Sequence, residues 1–434
     1  MRLMDVLQGV QPSLGCTEPA AIALAAALAR EAAGGKVKKV NIFCDANVFK
    51  NSLNVGIPGL EGMKGGLIAA GLGALAGDSK LRLELLNKIT PEDVRTAKEL
   101  ANRGLIHVSS GERERPGLYI EALVETDQGF GRAIIEDTHT NVTAVEANGQ
   151  PLPLPIWVRV GSKSEAKGGW AILKEMTLGE IVKSVENMTA EEMAYMLKGV
   201  RMNEAASREG LAKQAGLGVG AALAELVKEG LLADDFASQA EVLAASAVDA
   251  RMSGMMVPVM TSGYSGNQGI AATIPVVTVA RGLGAGEEEL AKAVATSHLI
   301  TAYVKTHVGN LSALCGAYVA GGIGAAAGIV RLLGGGKAET ERVINAMVGN
   351  IAGVICDGAK LGCALKVGTA ASVAVKSAML VMRGVRMPEG EGIVGGTAES
   401  TVRNLGSLAN PGMVQTDTQI LQIMLKAAPD LSCA

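Results

Sequence analysis

Residues 312–330 run for 19 positions without a charged side chain. That is long enough to cross a bilayer, which takes ~18 or more apolar residues. The content of the stretch argues otherwise. Gly and Ala dominate rather than Leu and Ile, Cys315 lies inside it, and no aromatic belt marks its ends. It reads as a helix buried in a water-soluble protein, and a helix of small side chains must be approached closely by its neighbours. The whole chain of 434 residues follows suit, with 56 glycines against 11 aromatics. Its core has to come from Ala, Gly, Val, Leu and Met on closely packed helices.

At ~150 residues per domain the length predicts two or three domains. With 48% hydrophobic and 19% charged residues the chain is not a disordered one. The net charge of −3 gives no electrostatic reason to expect nucleic acid or an anionic membrane as partner. So few rings leave little on which single-stranded bases could stack. The first residues are not expected to act as a signal peptide, because Asp5 and Pro12 interrupt any apolar run. Six cysteines are sparse for this length. They suit a thiol or metal role in the cytoplasm better than a disulfide framework.

Sequence texture divides the chain. Residues 1–155 predict a mixed N-terminal domain with a small sheet. Helices are expected at 19–33, 67–76 and 91–103, with Thr17 as the first N-cap. Strands are expected at 37–44, 105–109, 117–126, 131–136 and 142–146, with a hairpin turn at 127–129. Residues 47–66 read as a glycine-rich loop, and 148–155, with three prolines, as the start of a linker that continues over 156–175. Residues 176–434 predict a larger all-α, Gly/Ala-rich catalytic domain. Its helices fall near 178–185, 190–208, 219–229, 240–252, 287–305, 312–333, 338–349 and 418–426. The fold class is therefore α+β.

Cysteine placement is the most informative chemical feature. Cys16 stands just before a helix start, where the dipole and free N–H groups favour a thiolate. Cys356 and Cys363 are seven positions apart, ~10.5 Å on a continuous helix. They can share a cluster only if residues 357–362 bend as a loop. With no C-x-x-C present, a zinc ribbon or ferredoxin-type site is not indicated. Burial as small apolar residues is the plain alternative, and for Cys44 and Cys433 it is the preferred one. The segment SGYSGNQG at 262–269 offers amides and hydroxyls to a carboxylate, or serves only as a turn between helices. His139, Asn141, His307, Lys50 and Asn51 are polar residues in settings that suit either structure or function. Lys360 and Lys366 flank Cys363, but no local pattern supports pyridoxal phosphate there.

Several of these segments occur together in a fixed order. They are LGCTEP at 14–19, KNSLNVGIPG at 50–59, HTN at 139–141, SGNQGI followed by ATIPV at 265–276, LSALC at 311–315, ICDGAKLGCALKV at 355–367, EGIV at 391–394 and QTDTQI at 415–420. In this combination the chain resembles the L-cysteine desulfidase family, iron–sulfur enzymes related to the α part of bacterial L-serine dehydratases. The resemblance implies a [4Fe–4S] cluster held by Cys315, Cys356 and Cys363, with one iron open to substrate. It implies conversion of L-cysteine to pyruvate, ammonia and sulfide without pyridoxal phosphate. Cys16 becomes a fourth essential cysteine, as the base for the Cα proton or as a resting-state ligand. Ser262, Gly263, Ser265, Gly266, Asn267 and Gln268 are expected to hold the substrate carboxylate. Asn51, His139 and Asn141 are expected to contact the amino acid or orient Cys16. L-serine dehydration is the nearest alternative. A non-catalytic iron–sulfur sensor is the alternative of another class, though the chain offers no basic patch or DNA-binding motif. The expected partner is a small amino acid, with no nucleic acid and no membrane, and the Gly/Ala surfaces are compatible with a homodimer.

Overall fold

Strand β1 (Pro12–Leu14) leads directly into α1 (Thr17–Ala33), an alanine-rich helix buried along almost its whole length. A computed structural model describes residues 6, 9–60, 63–86, 88–111, 117–158, 170–263, 265–309 and 312–427. After α1 come β2 (Val37–Cys44), α2 (Ala46–Ser52), α3 (Gly66–Ala76), α4 (Pro91–Asn102), β3 (Ile106–Ser110), β4 (Tyr119–Thr126), β5 (Phe130–Glu136), β6 (Val142–Ala147) and β7 (Gln150–Pro151). The strands form one six-stranded sheet in the order β3-β2-β4-β5-β6-β7. Only β2 and β3 run parallel. Alternation along β2 buries Val40, Ile42 and Cys44 on one face, and α1 packs across β4 and β5. Small residues let α1 and α3 touch. A Cβ on Gly73 would fall 2.2 Å from the Ala23 carbonyl oxygen, which no side chain tolerates.

The rest is helical. The elements are α5 (Trp170–Glu175), α6 (Leu178–Ser184), α7 (Ala190–Ala212), α8 (Val219–Lys228), α9 (Phe236–Met252), α10 (Gly266–Leu283), α11 (Glu287–Val308), α12 (Val319–Leu332), α13 (Lys337–Ile351), α14 (Cys363–Met382), α15 (Ala398–Ser407) and α16 (Val414–Ala427). A second apolar core gathers around α12, every residue of which from Val319 to Val330 is buried. Helices α10, α11, α13 and α14 surround it. The short strand β8 (Pro258–Met260) pairs antiparallel with β1, Pro12 opposite Met260. The fold is α+β, a small mixed sheet followed by helices.

Four expectations change. The helix expected at 312–333 begins only at Val319. Before it, Leu314 bridges Ile355, and the Cys315 N–H donates to Val354 O at 2.9 Å. Hydrogen bonds to a distant segment outweigh local helix preference there. The loop expected at 47–66 begins as helix α2, capped by Asp45, whose Oδ1 accepts from the N–H groups of Asn47 and Val48. Residues 266–269 of the supposed loop are already the first turn of α10, which also accommodates Pro275. In the stretch 148–155, Gln150–Pro151 adds an edge strand to β6. Of the linker expected over 156–175, residues 159–169 lie outside the described residues, as does Cys433. At 14 residues α12 is short for a membrane span, and α14, though long and apolar enough, packs into the helical core.

Two histidines make the helical core sensitive to acid. His298 on α11 is buried, with Nε2 3.4 Å from Thr273 Oγ1 and no partner for Nδ1, and burial lowers its pKa to about 4. His307 is lowered to about 4 by burial and by the charges of Lys174 and Arg403. Both stay neutral in the folded protein while the unfolded chain takes up protons below ~6.5. Stability is therefore full above that pH and is lost as pH falls toward 4, by a few kcal/mol. Thermal denaturation should show the melting temperature falling from pH 7 to pH 4.5, and His298→Asn should flatten part of that slope.

Candidate functional site

The pairing of β1 with β8 carries the Gly15–Cys16 turn to the helical half of the molecule. Thr261 fixes it there, its Oγ1 donating to Gly9 O at 2.7 Å and accepting from Gln11 N at 3.0 Å. Cys16 is the N-cap of α1 and is 5% exposed. Its Sγ donates to Glu18 Oε2 at 2.9 Å. Glu18 also accepts from Thr17 Oγ1 at 3.1 Å and from Asn51 Nδ2 at 3.0 Å, and His139 Nε2 lies 3.9 Å from Oε1. Burial pushes the Glu18 carboxyl up, but the His139 ring, the Cys16 thiol and its own backbone N–H outweigh it. The net result is a carboxyl held well below the usual range. The thiol itself behaves differently from what its place at a helix start suggests. Burial and the Glu18 charge push it well above its ordinary range, against the opposing pull of Arg251. Desolvation outweighs the helix dipole.

Arg251, near the end of α9, faces this turn from the other side and is 4% exposed. Its Nη2 donates to Gly15 O and its Nη1 to Asn267 Oδ1 at 3.0 Å. Nothing in the sequence singled this residue out. Asn267 Nδ2 points to Met252 Sδ at 3.4 Å. Ser262 and Ser265 close a tight turn by exchanging backbone hydrogen bonds at 3.1 and 3.0 Å, with Gly263 at φ +57°. Gln268 Nε2 holds that turn through Ser262 O at 3.0 Å. The other end of the Gln268 amide reaches the cysteine region, since a Cβ on Gly316 would lie 2.6 Å from Gln268 Oε1 and 3.4 Å from Lys305 Nζ.

Cys315, Cys356 and Cys363 meet around the Leu314–Ile355 bridge. Cys356 N donates to Ala313 O at 2.7 Å, so the two bridge segments present Cys315 and Cys356 side by side. Residues 357–362 turn back as a loop, and Cys363 opens α14. The thiols act on one another. Burial first, then Cys356 and Cys363, raise Cys315 to about 12, and burial leads the rise at Cys363, which Cys356 adds to. Cations ring the trio. Lys305 is buried, which lowers its pKa to about 8 against the pull of Cys356 and Cys315. Lys366 donates to Ile355 O at 2.8 Å and pairs with Asp357 at 2.5 Å, and Lys360 pairs with the same carboxylate. Both lysines are thus engaged in shaping the loop. Among the described residues no three His, Cys, Asp or Glu side chains are placed to hold a single metal ion. A cubane differs in taking one thiolate per iron, so its ligands stand farther apart than those of one zinc. Three soft thiols brought together from separate segments, with Lys305, Lys360 and Lys366 nearby, fit an anionic iron–sulfur group.

Lys50 joins the two halves. It is 1% exposed on α2, and its Nζ donates to Cys356 O at 3.0 Å and to Asp417 Oδ1 on α16 at 2.6 Å. Removing the carboxylate would leave a buried ammonium without its counter-charge. Asp417→Asn should therefore cost about 3 kcal/mol of stability in urea denaturation, with no such loss for an exposed control such as Glu92→Gln.

Not every expected residue joins this centre. Asn141 donates to Glu136 O at 3.0 Å within its own turn, so it shapes the segment that carries His139. Cys44 is buried on β2 with only a 3.7 Å contact to Ser109 O, as befits a core residue. Lys50 is among the polar residues the sequence marks, and Glu18, inside LGCTEP, could have been found there. Arg251 and Lys305 could not.

Comparison with known proteins gives the family. The serine dehydratase alpha chain family matches residues 80–422. A UPF0597 protein of Desulforapulum autotrophicum is 40% identical over 98% of this chain and 97% of its own. Another, from Photobacterium profundum, is 42% identical over 97% of each chain, and one from Clostridium botulinum strain Langeland is 41% identical over 96% of this chain and 97% of its own.

Proposed function

Because the chain belongs to the serine dehydratase alpha chain family, we propose that it is a cytoplasmic [4Fe–4S]-dependent lyase. Its proposed reaction is β-elimination of L-cysteine to sulfide, ammonia and pyruvate. The observation that carries this reading is that Cys315 and Cys356 flank the Leu314–Ile355 bridge with Cys363 acting on them, while the neighbours Lys50 and Asn51 tie that loop to the buried Cys16–Glu18 pair. The three cysteines would hold the cluster. When bound, a cluster with one iron free of cysteine supplies a Lewis acid for the β-sulfur or β-oxygen of an amino acid.

The protein's own groups would do the remaining work. Cys16 Sγ is the base for the Cα proton, and Glu18 prepares it. Held as a carboxylate, Glu18 orients Sγ by accepting its hydrogen bond, and Cys16 acts as base once its own proton has left to solvent, a loss that the Arg251 charge assists. Asn51 holds Glu18 by a hydrogen bond and His139 lies beside its carboxylate. Loss of the Cα proton and of the β-substituent gives 2-aminoacrylate, which tautomerises and hydrolyses to pyruvate and ammonia. The turn at 262–265 and the first turn of α10 would bind the carboxylate, and Gln268 would keep that turn in register with Cys315.

The family's own name favours a second substrate, L-serine, by the same logic with water leaving in place of sulfide. The test is a side-by-side product assay on protein purified without oxygen. Sulfide and pyruvate formed together from L-cysteine support the first reading. Pyruvate from L-serine at a greater kcat/KM supports the second. A colourless, iron-free protein that is fully active would overturn both.

A further inference from the structure

Two adjoining features of the site carry positive charge that no carboxylate among the described residues contacts. The first is Arg251. Its guanidinium is buried, and among the described residues its Nε has no hydrogen-bond partner and no carboxylate lies within 4.0 Å of it. A buried guanidinium without an anion is costly to keep. The second is the start of α10, an 18-residue helix whose N-cap, Ser265, makes no side-chain cap bond and whose first turn holds no acid. Its free N–H groups and dipole favour an anion. The two features converge, since a Cβ on Gly266 would fall 2.3 Å from Arg251 Nε. Ser262 Oγ, in the adjoining turn, is likewise buried without a partner. Across Cys16 stands the opposite pole, Glu18, held as a carboxylate.

We propose that Arg251 is the specificity-determining residue that recognises the α-carboxylate of an amino-acid substrate at the N-terminus of α10, opposite Glu18. A site positive at one end and negative at the other, with Cys16 between, suits a zwitterion. The guanidinium fork matches a planar carboxylate better than an ammonium would. This rests on the reaction proposed above for its substrate class, but it is tested through binding.

The experiment compares L-alanine with L-alaninamide by calorimetry on the cluster-loaded wild type and on Arg251→Gln, Arg251→Lys and Gly266→Ala. L-alanine has no leaving group, so its binding is read whether or not elimination occurs. Wild type should prefer L-alanine by about tenfold or more, a gap of the size a single charged contact gives. Arg251→Gln should erase that preference by weakening L-alanine alone, and Arg251→Lys should keep part of it. Gly266→Ala, which crowds the guanidinium without removing it, should reduce the preference too, and it serves if Arg251→Gln does not fold. With L-cysteine, Arg251→Gln should raise KM more than it lowers kcat. Equal weakening of both ligands, or an unchanged preference, would overturn the proposal even in an enzyme that releases sulfide. A wild type that binds L-alanine through Arg251 yet forms no pyruvate would overturn the reaction and leave this inference standing.

Discussion

Alanine at Cys315, Cys356 or Cys363 should remove iron and activity together, by about a thousandfold or more in kcat/KM. The three thiols sit on separate segments, the bridge strand before α12, its partner strand and the first residue of α14. None can substitute for another, because each segment is fixed by its own backbone hydrogen bonds. The sign of the metal-free pKa shifts points the same way. Burial and mutual repulsion keep Cys315 protonated near neutral pH, so a thiolate at that position needs a cation to stabilise it. Iron content and visible absorbance, measured without oxygen, should fall in step with activity in all three variants. Cys44→Ala, on the far sheet, should change neither. Full iron retention in any of the three would remove that cysteine from the ligand set.

Cys16→Ala should behave differently, losing activity by about a hundred- to ten-thousandfold while keeping most of its iron. The thiol is already engaged by Glu18 at 2.9 Å, which is the arrangement of a proton donor and acceptor. Glu18→Gln should imitate part of the defect, because a neutral amide accepts the Sγ hydrogen bond more weakly than a carboxylate and no longer holds the thiol in its orientation. Iron loss in Cys16→Ala as large as in the other three would identify Cys16 as a resting-state ligand instead. The two measurements, iron and turnover, separate the roles without a further structure.

Much of the sheet domain was legible. The strand 37–44 falls where its alternating residues put it, and the 127–129 turn joins β4 to β5 as Asp-Gln-Gly suggests. The helical half was legible in its long helices and obscure in its joints. Residues 312–318 carry helix-forming small residues, yet Leu314 is drawn out to pair with Ile355 and the chain turns at 316–318 before the helix starts. The first turn of α10 looked like a loop because glycine and serine crowd it, and those residues are small so that Arg251 can lie against the backbone. Cys16 shows the same limit from the chemical side. Its position at a helix start speaks for a lowered pKa, but burial beside Glu18, a three-dimensional circumstance, reverses the sign.

Sequence by itself determined the class of fold, the absence of disulfide logic and the identity of the four cysteines that merit testing. Pattern, composition and motif order are local or additive properties, and they survive being read in one dimension. Tertiary structure alone decided that Lys50 on α2 ties the Cys356 loop to Asp417. It alone turned an unremarkable arginine on α9 into the buried charge between Gly15 and Asn267. Both are electrostatic contacts between residues more than two hundred, or for Asn267 sixteen, positions apart. Their strength depends on burial and distance, which no spacing along the chain encodes.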